Sequence, residues 1–157
     1  CCGPSPARRL PEPDREPHPG PTRPAPPPAR RDPRPAARPA PRAHRAAVTA
    51  TVPELATTLQ EVLSRRVTAY LAGVQDGKTI SRWANGDSPI RDHDVERRVR
   101  TAYEIVALLR ITERPEAIRA WFISLDPRLD DRLPMDVIRE DELQAALYAA
   151  QAFVANP

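Results

Sequence analysis

Nothing in this chain is spaced for covalent chemistry. Of the three histidines, His18 and His44 fall in a proline-dense N-terminal stretch, and His93 stands alone where a helix is expected to begin. A surface or capping role fits each of them better than acid–base work. Cys1 and Cys2 are the only cysteines; adjacent and terminal, they make neither a disulfide framework nor a metal knuckle. There is no Cys/His pair, no Gly-rich phosphate loop and no two-His metal spacing. The acid cluster DPRLDD (126–131) lacks the Gly and the closing Glu of a calcium loop. The expectation is a non-enzyme with no catalytic residue, no metal ligand and no cofactor.

What remains is non-covalent recognition. In residues 66–86, RVTAYLAGVQDGKTISRWANG, the apolar Ile80, Trp83 and Ala84 sit at i, i+3 and i+4 and bury one face of a helix. Lys78 with Arg82, and Ser81 with Asn85, then form two i, i+4 pairs on the opposite face. These side-chain types contact phosphates and base edges when a helix enters a major groove. Thr79, near the helix start, suits a phosphate contact. The expected DNA-binding set is therefore Lys78, Thr79, Ser81, Arg82 and Asn85, with Arg65, Arg66 and Arg91 as further cations.

The elements that must position these residues are all helical. Leu55, Leu59, Val62 and Leu63 line one face of a helix over 54–64. A short segment over 67–72, with Val67, Tyr70 and Leu71 inward, ends at Gly73, and Val74 plugs the turn. Asp76 is suited to cap the next helix, which stops at Gly86. The longest helix is predicted over 94–111, its stripe formed by Val95, Val99, Ala102, Val106 and Leu109, with Glu96, Arg97, Arg100 and Glu104 pointing away. Pro115 opens a fifth helix through Ile118, Trp121 and Phe122. Asp126-Pro127 breaks it, Pro134 opens a short helix through Arg139, and 142–155 closes the chain with Leu143, Leu147, Ala150 and Val154 inward. No alternating β-branched segment occurs, so the class is all-α.

Composition divides the 157 residues into three. Residues 1–50 hold 15 of the 21 prolines and carry a net charge of +6, whereas residues 51–112 carry +1 and residues 113–157 carry −4. The high overall pI thus belongs to the first segment and says little about nucleic acid. With only Leu10, Val48 and scattered alanines to bury, residues 1–50 are expected to be a disordered Pro/Arg-rich tail of polyproline-II character. It is not a signal peptide, for it has no apolar stretch of 7–15 residues. The chain opens on Cys1 rather than Met, so a truncated or misplaced start is expected; a product beginning near Val48 or Val52 is the alternative. No apolar run is long enough to span a membrane, and the default location is the cytoplasm.

Residues 66–86 resemble the helix-turn-helix of phage-repressor-like (Xre-type) regulators, whose second helix reads [KR]-T-[IV]-S-R-W-x-N-G. Further along, AWFISLDPRLDDRLPMDVIR is similar to the toxin-binding segment of Xre/MbcA/ParS-type antitoxins, and ISRWANG followed by ERRVRTAYEIVALL resembles their helical N-terminal part. The resemblance spans residues 53–155, and the order of its blocks carries more than any one of them. It implies a helix-turn-helix domain at 51–112 and a toxin-binding domain at 113–157. It also implies a toxin–antitoxin role: the partner is a RES-domain toxin that consumes or transfers NAD, and operator DNA is bound to regulate the operon. Relatives commonly carry Gly where this chain has Asp131.

The residues agree in part. An acidic segment with Trp121, Phe122, Tyr148 and Phe153 suits docking on a basic, nucleotide-handling pocket; alternatively the aromatics are core and the acids a solvated face, and Trp121 itself is expected in the core. Loops carry functional polar groups readily, so Asp126, Arg128, Asp130, Asp131 and Arg132 are the expected toxin contacts. The competing function is a stand-alone helix-turn-helix regulator whose C-terminal helices dimerise; a homo-oligomer is expected in either case. A third, an interaction adaptor with a degenerate helix-turn-helix, would bind no DNA.

Overall fold

The computed structural model describes Gly3 and residues 41–156, and the tail expectation for residues 1–40 otherwise lies outside them. Eight α-helices occur among the described residues: α1 (Pro41–Thr49), α2 (Val52–Leu63), α3 (Arg65–Ala72), α4 (Gly77–Asn85), α5 (His93–Leu109), α6 (Pro115–Phe122), α7 (Pro134–Arg139) and α8 (Leu143–Ala155). A single 3₁₀ turn, Pro127–Leu129, lies between α6 and α7. The one extended pairing among them is an isolated bridge between Asp126 and Arg132. The all-α class expected from periodicity is the class observed.

Local chemistry sets most helix boundaries. Thr51 starts α2, and Glu54 reaches back to accept its backbone N–H at 2.7 Å and its hydroxyl at 2.8 Å. That backbone hydrogen bond holds the Glu54 carboxyl below its ordinary range. Asp76 caps α4 by accepting from Lys78 N at 2.8 Å, and Asp92 caps α5 by accepting from Asp94 N and Val95 N. Pro115 and Pro134 open α6 and α7 at first-turn positions, where a missing N–H costs nothing. Gly73 and Gly86 end α3 and α4 in the left-handed conformation, at φ 81 and 78.

One core runs through every element. Leu55, Leu59 and Leu63 of α2 pack with Leu71, Ile80, Val99, Ile105, Leu109, Ile118, Phe122 and Ile138. The two segments expected as domains, 51–112 and 113–157, both contribute to it. Trp121 is buried, as expected, and meets Phe122 edge-on at 5.2 Å. Ala146, Leu147, Ala149 and Ala150 form the buried face of α8, which packs against α5.

Three expectations are corrected. Residues 41–49 are helical rather than part of a disordered tail. Ala43 and Ala47, one turn apart, bury a small-residue face on α5, and tertiary bonds supply what the segment lacks in apolar bulk. Arg100 of α5 donates to the carbonyls of Ala47 (2.7 Å) and Ala50 (3.1 Å) at the C-terminal end of α1, itself held by Glu96 at 2.8 Å. Glu104, expected to point away, is 6% exposed, its Oε2 lying 3.2 Å from His44 Nδ1 on α1. Tyr70, expected inward, is exposed, for reasons given below. No helix among the described residues is long and apolar enough to cross a membrane.

Candidate nucleic-acid face and partner-binding loop

Helices α3 and α4 and the turn between them form a helix-turn-helix. Gly73 N–H donates to the Tyr70 carbonyl and Val74 N–H to the Ala69 carbonyl, both at 3.0 Å, closing α3. A Cβ on Gly73 would come within 2.7 Å of Arg98 Nη1, the movable end of a long side chain, so it is the positive φ that calls for glycine here. Arg98 reaches this point from α5, donating to the Ala72 carbonyl at 3.4 Å and to Asp141 through Nε (3.0 Å) and Nη2 (2.5 Å). The fork holds the Asp141 carboxyl below its ordinary range.

Ile80 and Trp83 bury α4 against the core. Lys78, Arg82 and Asn85 are exposed, while Thr79 and Ser81 are half-buried. Among the described residues the side chains of Lys78 and Arg82 have no hydrogen-bond or ion-pair partner. Ser81 Oγ accepts from Arg65 Nη1 at 3.3 Å, which ties α3 to the α4 face. Asn85 Nδ2 donates to Asp87 Oδ2 at 3.4 Å, past the usual range and easily given up to a stronger acceptor. An exposed helix carrying two unpaired cations and an amide has what phosphate contact and base-edge contact require.

A groove of about 730 Å³ lies between α3 and the start of α4, bordered by Arg65, Arg66, Tyr70, Lys78 and, from the C-terminal segment, Arg139. Sequence reasoning missed Arg139 because its place depends on α7 packing against α3. Its guanidinium lies over the Tyr70 ring, 4.4 Å from the centroid, and the Tyr70 hydroxyl donates to Asp136 Oδ1 at 2.8 Å. These contacts keep Tyr70 at the surface, and the Asp136 hydrogen bond pushes its hydroxyl pKa up.

The loop 126–132 is closed on itself. Asp126, placed among the expected partner contacts, is 4% exposed and fully engaged within the fold. Its Oδ2 accepts from Trp121 Nε1 at 3.1 Å, and its Oδ1 accepts from Arg128 N at 2.8 Å. Its carbonyl accepts from Leu129 N and Asp131 N, and its N–H donates to the Arg132 carbonyl. Leu129 plugs the loop into the core.

Arg132, half-buried, grips Glu142 through two bonds of 2.7 Å and Glu140 through one of 3.0 Å. The grip lowers the Glu142 pKa and raises that of Arg132. Arg128 is exposed and leans on Asp126 and the Asn156 carbonyl. Only Asp130 and Asp131 stand free at the tip, both left-handed at φ 57 and 56. Ile123 and Leu125, exposed by 46% and 64%, flank the loop on its N-terminal side. Neither residue shows a periodic signal that sequence reasoning could use.

No group of three or more His, Cys, Asp or Glu among the described residues is placed to hold a metal ion. No family model matches the chain, and neither does any curated protein or solved structure.

Proposed function

We propose that this chain is the antitoxin of a type II toxin–antitoxin pair, which neutralises a RES-type, NAD-consuming toxin by direct binding and regulates its operon through DNA. The observation that carries the DNA half is the exposed α4 face, where Lys78 and Arg82 lack partners among the described residues while Ile80 and Trp83 are locked in the core. The toxin-binding half rests on the ordered sequence resemblance over residues 53–155. It is supported by an acidic loop tip at Asp130 and Asp131 beside exposed Leu125 and Ile123, a mixed polar and apolar surface of the kind protein partners use. Within the loop, Asp126 and Arg132 position the tip, and Asp130, Asp131 and Arg128 are left to meet a partner.

Co-expression with the adjacent open reading frame is the test. The expected result is a neighbour that is toxic alone, is rescued by this chain and co-purifies with it. A harmless or unbound neighbour would move the assignment to a stand-alone helix-turn-helix regulator. That second reading, in which the C-terminal helices dimerise, is supported by the single core shared between α2–α5 and α6–α8, which ties those helices to the helix-turn-helix half.

A further inference from the structure

We infer that the nucleic-acid interface is not confined to the helix-turn-helix: Arg139, on the acidic C-terminal segment, completes a basic groove that takes a phosphodiester of duplex DNA. The inference rests on α4 being the DNA-facing helix. Four cations border the groove, Arg65, Arg66, Lys78 and Arg139, against one acid, Asp76. Asp76 is already committed, for its Oδ1 accepts the Lys78 backbone N–H that caps α4. Among the described residues none of the four cations has an ion-pair partner; the nearest thing is the 3.3 Å bond from Arg65 to the Ser81 hydroxyl. Unmatched cations gathered in one concavity raise the local concentration of anions.

Arg139 is held ready for such a contact. Its guanidinium carbon lies 4.4 Å from the centroid of the Tyr70 ring, and no ion pair among the described residues engages it. The acid nearest to it in sequence on the same helix, Asp136, is occupied by the Tyr70 hydroxyl at 2.8 Å. The N-terminal turns of α3 and α4 both border the groove, and their partial positive charge adds to that of the side chains. Lys78 belongs both to the groove and to the exposed α4 face, so a backbone meeting the first turn of α4 meets the groove as well. Duplex DNA is favoured over duplex RNA because a single exposed helix fits the wide B-form major groove, whereas the A-form groove is deep and narrow.

The test measures binding of the full chain to a 30-bp mixed-sequence DNA duplex between roughly 50 and 200 mM salt, where each phosphate contact adds about 0.9 to the slope of log K against log salt. Arg139→Gln is expected to lower that slope by about 0.9 and the affinity at 0.1 M salt by about 8-fold. The loss should be equal on two unrelated sequences, because phosphate contacts carry no sequence information. Arg139→Lys should restore the slope. Thermal melting checks the fold; if the glutamine variant melts early, Arg139→Met, which keeps the apolar stem, takes its place. A wild-type slope in a variant lacking the charge overturns the Arg139 contact while leaving α4 as the DNA reader. Absence of duplex binding by the wild-type chain overturns both. Tighter binding to RNA duplex of the same sequence, with the same dependence on Arg139, overturns the assignment to DNA.

Discussion

Replacing Asp126 separates a residue that builds the loop from the residues proposed to meet a partner. Asp126→Ala removes the acceptor of the Trp121 indole N–H at 3.1 Å and of the Arg128 backbone N–H at 2.8 Å. Hydrogen bonds to a charged group contribute about 1.5–3 kcal/mol each, and a buried donor left unpaired costs a similar amount. Water entering the vacated space recovers part of this, so the net loss is about 3 kcal/mol. For a domain of this size that lowers the melting temperature by about 10 °C. Asp126→Asn keeps a carbonyl oxygen for one of the two donors and is expected to fall about midway. Calorimetry or circular dichroism of the three proteins reads the order directly. Asp130→Asn and Asp131→Asn should melt within about 2 °C of the wild type, since these side chains touch nothing that folding needs and asparagine accepts the left-handed backbone. If Asp126→Ala melts with the wild type and yet loses partner binding, the residue is a contact and the structural account of the loop is wrong.

Removing Arg100 should release α1 without unfolding the rest. In Arg100→Ala the Ala47 and Ala50 carbonyls lose their donor, and amide exchange over residues 41–49 is expected to accelerate about 5–30-fold, equivalent to 1–2 kcal/mol. Exchange in α2 to α8 should stay within about twofold, and an unaltered α1 would show that burial of Ala43 and Ala47 alone holds it. Acid sensitivity follows from Glu54, Asp141 and Glu142, whose carboxyls are held below their ordinary range by the Thr51 N–H, the Arg98 fork and the Arg132 fork. Groups with lowered folded-state values contribute stability that is complete above their unfolded values, near pH 4, and is lost as the pH falls through the folded ones. The urea midpoint should therefore be level from about pH 7 to 5 and drop below about pH 4. Arg132→Gln should make that drop shallower, and a midpoint rising in acid would contradict the assignment.

The parts of the structure legible in the sequence are those set by neighbours along the chain. Helical stripes such as Leu55–Leu59–Leu63, the Asp76 cap, the stops at Gly73 and Gly86 and the openings at Pro115 and Pro134 depend on a few adjacent residues, and they appear where periodicity and capping place them. What was illegible depends on partners far away. Glu104 looks solvated on its own helix until His44, 60 residues earlier, is laid beside it. Helix α1 has only alanines to bury and becomes ordered through a guanidinium from α5. Tyr70 satisfies the inward spacing of α3, but Asp136 and Arg139 offer its hydroxyl and ring better company outside. Asp126 has the composition of a loop contact, and only the indole N–H of Trp121 shows it to be internal. On α4, where the face pattern is local, the expected residues are exposed or half-exposed together.

Asp130 and Asp131 adopt left-handed backbone in succession at the tip of the closed loop. Glycine, asparagine and aspartate accept that conformation, while most other side chains are strained in it by about 1–2 kcal/mol per residue. Two such residues side by side leave the tip an alphabet of three letters. Only one of the three carries charge, so variation there can add or remove negative charge but cannot introduce bulk, a cation or a branched apolar group without deforming the loop. A lineage that must alter the surface of this loop is thereby pushed to its shoulders. Ile123, Leu125 and Arg128 are exposed there with no left-handed constraint, and the full range of side chains is open to them. The tip would then behave as a fixed consonant and the shoulders as the vowels that distinguish one word from the next.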